Sequence, residues 1–244
     1  MRLDLALVAR GLARSRSHAR QLIDAGAVEV AGVAVARAST MIADDIAVTV
    51  RADPYVSRAA HKLIHAIDGS GLVVSGRALD AGASTGGFTQ VLLERGADLV
   101  YAVDVGHGQL AEVVRQDRRV VVAEGLNVRG LNIDDVGGRP VDLVVADLSF
   151  ISLRLVLDRL FGVLSPTGSA LVLVKPQFEV GRGNVDSHGV VVSETARLEA
   201  VQAVIEHAAS LGWLLAWSGP SELPGEKGNK EVFCLFGRQM DYRS

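Results

Sequence analysis

Residues 78–93 read ALDAGASTGGFTQVLL. A short apolar strand ending at Asp80 runs into a turn carrying Gly82, Gly86 and Gly87, and a helical pattern opens at Phe88. Glycine at a strand-to-helix turn lets backbone N–H groups face a ligand that a bulky side chain would keep away. The spacing is not G-x-G-x-x-G, and no Gly-Lys-Ser/Thr follows, so a dehydrogenase fingerprint and a nucleoside-triphosphate loop are both disfavoured. The next strand, VYAVDVG, carries Asp104, 22 residues beyond Gly82, where a carboxylate can accept both hydroxyls of a ribose. Glu124 and Asn127 follow the third strand, near where an adenine edge would lie. A nucleoside held by an acid and a glycine turn, without pyrophosphate, suits S-adenosylmethionine.

Outward from this loop the pattern alternates. Strands are predicted at 78–81, 99–103, 120–123, 143–146, 170–174, 214–218 and 232–236, with helices at 88–95, 110–115, 153–164 and 194–211. Strands interleaved with helices imply a mostly parallel sheet covered on both faces, an α/β architecture. In the last helix Leu198, Val201, Ile205, Ala208 and Leu211 share one face, with Arg197 and Glu206 placed toward solvent. The stretch 177–192, with Gly181, Gly183 and Gly189, is long enough to be a lid. Before the alternating body, two short helices (3–10 and 17–25), a hairpin about Ala31-Gly32 and a strand at 46–50 make a small α+β module, which Pro54 ends. The expected division is a module over 1–50, a linker over 51–56 and the body over 57–244.

The 244 residues are 49% hydrophobic and 22% charged, ordinary for a globular protein. Apolar runs are far shorter than the ~18 residues a membrane span needs, and the N-terminal stretch lacks the apolar core of a signal peptide. The single cysteine, Cys234, excludes an internal disulfide and a cysteine metal cluster, and it reads as core; no metal is expected. A cytoplasmic protein is expected. Net charge is −3, but residues 1–62 carry +3 and the rest −6. Arg10, Arg14, Arg16 and Arg20 crowd the module, as a phosphate-binding appendage would. The chain has 21 Arg and four Lys, so a lysine that persists is a candidate for proton chemistry, which arginine cannot perform.

Two of those lysines matter here. Asp147 follows the fourth body strand and Lys175 the fifth, both at the carboxyl ends where open α/β sheets bind ligands. Lys62 lies on the helix before the first body strand, and Glu231 opens the last strand after a Gly228-Asn229 turn.

With these residues in view, the chain resembles the TlyA (hemolysin A) family of ribosomal RNA 2′-O-methyltransferases over nearly its full length. Residues 2–50, beginning RLDLALVARGLARSRSHARQLIDAGAVEV, look like an S4 RNA-binding module. YVSRAAHKL, DAGASTGGFT, YAVDVGHGQL, DLVVADLSFISL, LVKPQFEVGR and GNKEVF match in order and spacing. The body also resembles the heat-shock rRNA methyltransferases with a Lys-Asp-Lys-Glu tetrad, which falls here on Lys62, Asp147, Lys175 and Glu231. The resemblance implies a Rossmann-like seven-stranded sheet with a final antiparallel strand. It implies S-adenosylmethionine bound along Asp80, Gly82, Ser84, Thr85, Gly86, Gly87 and Phe88, with Asp104, Glu124, Asn127 and Asp147. It further implies ribosomal RNA as partner, 16S and 23S in the best-known members, modified at a cytidine ribose. Three departures stand out: Ala59-Ala60 where relatives have Gly-Gly, Ala31-Gly32 in place of Asn-Gly, and Val192 where relatives usually carry Arg.

Methyl transfer needs a ribose 2′-oxygen whose proton is leaving. Lys175 is the candidate base, since burial and a second ammonium, Lys62, favour a neutral amine, while Asp147 and Glu231 orient the two lysines. Competing expectations are a pore-forming haemolysin, a non-enzymatic S4-type RNA-binding or ribosome-assembly protein, and an S4-linked pseudouridine synthase.

Overall fold

The structure, a computed structural model, describes residues 1–238 except Ala25, Ala52 and Glu226, and except the side chains of Gln21 and Arg182. The last residue of the second expected helix, one linker residue and the end of the expected body thus lie outside the described residues. The chain divides into two units, Met1–Pro54 and Tyr55–Ser244.

The first unit opens with helices α1 (Leu3–Ala9) and α2 (Arg16–Asp24). Strands β1 (Val28–Val30), β2 (Val33–Ala34) and β3 (Val48–Val50) form an antiparallel sheet in the order β2-β1-β3. Leu3, Leu7, Ile23 and Val28 close its core without exposure. The expected hairpin is present. Ala31 and Gly32 both take positive φ, +50° and +78°, as a two-residue turn matched to strand twist requires. Alanine is strained there in a way that asparagine or glycine is less.

The second unit begins with Tyr55 and Val56, which bond to Glu94 and Gln90. Its elements are α3 (Ala59–Ser70), β4 (Arg77–Ala81), α4 (Gly87–Glu94), β5 (Leu99–Asp104), α5 (Glu112–Arg115), β6 (Val120–Glu124) and β7 (Val141–Ala146). There follow α6 (Leu157–Gly162), β8 (Leu164–Val174), α7 (Pro176–Glu179), α8 (Glu194–Ser210), β9 (Trp213–Pro220) and β10 (Val232–Arg238). The seven strands run in the order β6-β5-β4-β7-β8-β10-β9. The first five are parallel, and β10 is antiparallel to both of its neighbours. The expected α/β sheet with a reversed last strand is therefore the observed one.

Period-2 alternation sorts the strand residues between two cores. Leu171, Leu173 and Phe233 face α3 and α4. Val172, Val174, Cys234 and Phe236 face the other way, with Leu157, Leu160, Val204 and Ala208 of α6 and α8. Burial pushes the Cys234 thiol up to about 12, so it behaves as a core residue.

Two expectations fail in detail. The predicted helix at 153–164 splits into a 3-10 turn, Leu153–Leu155, and α6, because Leu164 already pairs with Val141 as the start of β8. In α8 the buried face is Ala200, Val204 and Ala208, while Leu198 is 66% exposed. Arg197, expected in solvent, donates to the carbonyls of Val191 and Val192. Val201, Ile205, Ala208 and Leu211 do pack on this core as expected; the departure is at the start of the helix, where Ala200 replaces Leu198 on the buried face and Arg197 ties down the preceding loop.

Candidate active site

The order β5-β4-β7 places the chain reversal of the sheet beside β4, so the carboxyl ends of β4, β5, β7 and β8 surround one crevice. Two cavities of about 450 and 490 Å³ adjoin there, sharing Gly82, Ser84, Asp147, Ser149 and Phe150 in their walls.

The glycine loop forms one wall. Gly82 (φ +87°) and Gly86 (φ +96°) are left-handed, and Ser84 joins them at φ +48°. A Cβ on Gly82 would stand 2.7 Å from the Asp147 carbonyl oxygen, and one on Gly86 2.9 Å from Leu110. A Cβ on Gly87 would meet Ser57 at 2.9 Å. Gly82 thus permits the close approach of β4 to the loop after β7, whereas Gly86 and Gly87 permit the packing of the loop onto α5 and the segment before α3. Thr85 lines the first cavity; its carbonyl accepts from the Ala111 N–H. Phe88 borders the same cavity but is buried, tilted against Phe233 at 6.2 Å.

Asp104 lines the second cavity with Asn127. Its carboxylate accepts the Ser84 N–H at 2.8 Å and the Gly106 N–H at 2.7 Å. Each oxygen keeps lone-pair capacity for a further donor, so two ribose hydroxyls can still be received. The Asn127 side chain accepts the Arg129 N–H, which leaves its amide nitrogen available. The residues present therefore fit an adenosyl group: a tightly packed Gly82–Gly87 turn walls the cavity, and the pre-aligned Asp104 carboxylate stands at its rim with oxygens able to accept further donors.

Two of the expected contacts take other positions. Asp80 is fully buried and lines neither cavity; it accepts the Thr89 hydroxyl at 2.6 Å, and its Oδ1 has no hydrogen-bond partner among the described residues. Loss of hydration pushes its pKa up to about 7. It sits under the cradle, joining β4 to α4. Glu124 also lies outside both walls. The Gly108 N–H and the Arg115 guanidinium hold its carboxyl below the usual range, so it is engaged with the loop after β5.

The four polar residues at the strand ends come together as two pairs. Lys175 Nζ lies 2.6 Å from Asp147 Oδ1 and donates to Ser149 Oγ at 2.9 Å. Lys62 Nζ donates to Glu231 Oε2 at 2.7 Å, with side chains only 8% and 2% exposed. All four line the first cavity. Each ammonium faces a carboxylate, the arrangement in which buried charge is tolerated.

Three residues here are missing from the sequence-based site. Phe150 follows Ser149, is 91% exposed and takes φ +66°. That conformation costs a non-glycine residue about 1–2 kcal/mol, and it turns the ring to the rim of both cavities, 5.3 Å from Phe178. Glu179 is buried and accepts the Ser152 hydroxyl, the Leu153 N–H and the Arg154 Nε–H at 2.5, 2.7 and 3.3 Å. It thereby ties the segment after Asp147 to the segment after Lys175. Asn229 is the third. Its side chain accepts the Val191 N–H and donates to the Gly189 carbonyl, both at 3.0 Å. The expected lid is thus anchored at its far end. The signals were present, an aromatic three residues past Asp147 and a KPQFE run, but exposure and partners are tertiary properties.

In the first unit, Asp4 is buried at the start of α1 beside three guanidinium groups: Arg2 at 3.0 Å, Arg16 at 3.2 Å and Arg20 at 3.7 Å. The Arg2 hydrogen bonds, with those of Arg16, hold its carboxyl down to about 2. Arg16 and Arg20 remain exposed around it, as does Arg14. Arg10 instead donates to the carbonyls of Ala43, Asp44 and Ile46 and closes its own module.

Residues 55–238 match the model of the FtsJ-like methyltransferases, and residues 1–44 match that of the S4 domain. The 16S/23S rRNA (cytidine-2′-O)-methyltransferase TlyA of Mycobacterium tuberculosis is 51% identical over 244 residues, spanning 98% of this chain and 91% of that protein. Hemolysin A of Brachyspira hyodysenteriae is 38% identical over 238 residues, 97% of this chain and 99% of that one. A solved structure of a candidate hemolysin from Streptococcus thermophilus superposes with a TM-score of 0.76 at 34% identity, covering 98% of this chain and 88% of its own. No helix among the described residues is long and apolar enough to cross a membrane. With a glycine cradle, two lysine–carboxylate pairs and these matches over both units, the chain belongs to the TlyA family of FtsJ-like methyltransferases, with an S4 domain at its N-terminus.

Proposed function

We propose that the protein methylates the 2′-oxygen of a cytidine ribose in ribosomal RNA, acting in the cytoplasm on a ribosomal subunit. The observation that carries this reading is the placement of Lys62, Asp147, Lys175 and Glu231 on one cavity that adjoins the Gly82–Phe88 cradle. S-adenosylmethionine, when bound, supplies an electrophilic methyl group. Gly82, Ser84, Thr85, Asp104 and Asn127 would hold it, with Asp80, Gly86 and Gly87 shaping the cradle from behind.

The chain's own residues then prepare the nucleophile. A ribose hydroxyl attacks weakly until its proton begins to leave. Lys175, after releasing its own proton to solvent, accepts the 2′-proton as the new oxygen–carbon bond forms, and Asp147 and Ser149 hold the re-formed ammonium in place. Lys62 and Glu231 fix the opposite wall of the cavity. Phe150 offers an exposed ring on which the target base can stack once it leaves its helix. Much of the acceleration comes from orientation, because rigid groups on strand ends hold the hydroxyl in line with the methyl group. Arg14, Arg16 and Arg20 of the S4 domain contribute phosphate contacts, which position without specifying sequence.

The test is to incubate the protein with methyl-labelled S-adenosylmethionine and separate 30S and 50S subunits that lack the modification. Label at a cytidine ribose of 16S rRNA, 23S rRNA or both is the expected result and defines the substrate. Cofactor binding without ribose label in either subunit would overturn the reading.

A further inference from the structure

Gln177 stands two residues beyond Lys175 on α7. Its Nε2 donates to Glu231 Oε1 at 3.2 Å, while Lys62 occupies Glu231 Oε2. An ionised carboxylate accepts and does not donate. The amide therefore has one orientation, nitrogen toward Glu231 and oxygen away from it. That oxygen is buried and has no hydrogen-bond partner among the described residues. The residue lines the cavity that also holds Lys62, Asp147, Lys175 and Phe150. A buried acceptor without a donor is costly in free energy, so it marks a place where a ligand's donor belongs.

The chemistry of an internal RNA nucleotide narrows the choice of donor. Its 3′-oxygen is esterified, and in the reading above its 2′-proton goes to Lys175. The remaining donors are on the base. Cytosine carries an exocyclic amine at the position where uracil carries a carbonyl oxygen. The Phe150 and Phe178 rings, 5.3 Å apart, supply an apolar platform beside Gln177 for such a base. We propose that Gln177 Oε1 accepts a hydrogen bond from the exocyclic amine of the target base and so selects cytidine over uridine. Glu231 then has a second role, as the group that fixes which end of the amide the base meets. This inference rests on the ribose-methylation reading.

The experiment compares methylation rates on ribosomal subunits carrying cytidine or uridine at the modified position, for the natural protein and for Gln177→Met. The natural protein should prefer cytidine by about tenfold to a hundredfold, the discrimination of one buried hydrogen bond. Gln177→Met should bring the ratio close to one, chiefly by slowing the cytidine reaction, with unchanged S-adenosylmethionine affinity by calorimetry and a melting temperature lowered by about 2–12 °C, because Glu231 loses one donor. The proposal is overturned by an unaltered ratio in Gln177→Met, by equal slowing on both substrates, by a loss confined to cofactor affinity, or by a natural protein indifferent to the base. Absence of ribose label from the natural protein on the cytidine subunit would instead overturn the methylation reading itself.

Discussion

Replacing Lys62 by methionine removes one half of the Lys62–Glu231 pair and leaves the buried carboxylate with the neutral Gln177 amide as its remaining described partner. The two atoms are 2.7 Å apart, and the side chains are 8% and 2% exposed. Breaking a buried pair from one side costs about 3–5 kcal/mol, because the remaining charge is neither solvated nor paired. For a unit of this size each kcal/mol moves the melting temperature by about 2–4 °C, so Lys62→Met should melt about 6–20 °C lower. The double variant Lys62→Met/Glu231→Gln removes the stranded charge and keeps an acceptor for Gln177. It should regain most of the loss, since a buried pair as a whole contributes little net stability. Melting curves of the natural protein, both single variants and the double variant supply the cycle, and labelled methyl transfer is measured on each. Stability should return in the double variant while methyl transfer stays lost. A double variant as unstable as Lys62→Met would refute the reasoning, for it would mean the lysine stabilises by packing rather than by neutralising Glu231.

Lys175→Ala should keep cofactor binding and lose methyl transfer by about two to four orders of magnitude; Lys175→Arg should fail as well, because guanidinium does not deprotonate, and an active arginine variant would remove Lys175 from the base role. Gly82→Ala combines a left-handed φ of +87° with a Cβ 2.7 Å from the Asp147 carbonyl, costs of about 1–2 and 1–3 kcal/mol. Calorimetry should show S-adenosylmethionine affinity reduced at least about tenfold, and unchanged affinity would place the cofactor elsewhere. The Asp80 carboxyl is pushed from 3.8 up to about 7 by burial, so the folded state holds this proton more tightly than the unfolded chain. Its contribution to stability is full below about pH 4 and is lost as pH rises through about 7. Asp80→Asn, which still accepts from Thr89, should flatten the fall of melting temperature between those values; an unchanged slope would assign that fall to other groups.

The sequence by itself determined the alternating α/β body, the glycine turn at 82–87 and the arrival of Asp147 and Lys175 at strand ends. These are local properties. Period-2 apolar runs make strands, glycine is needed where φ is positive, and a polar residue after an apolar strand must leave the core at that strand's carboxyl end. The full tetrad came from motif resemblance, because nothing local links Lys62 to Glu231 across 169 residues. Only the tertiary structure decided which way the remaining side chains turned. Asp80 and Asp104 both lie on strands beside the cradle, yet Asp80 points into the core toward Thr89 and Asp104 into the crevice. Glu124 is claimed by Arg115, and Arg10 by three carbonyls, so neither is the free ligand its residue type suggests. Phe150 is exposed because a left-handed backbone turns it outward, and α8 buries Ala200 rather than Leu198 because small residues let the helix approach the sheet. A sequence pattern states what a residue can do; which partner reaches it first depends on chain segments far away, brought near only by the packing of the whole sheet.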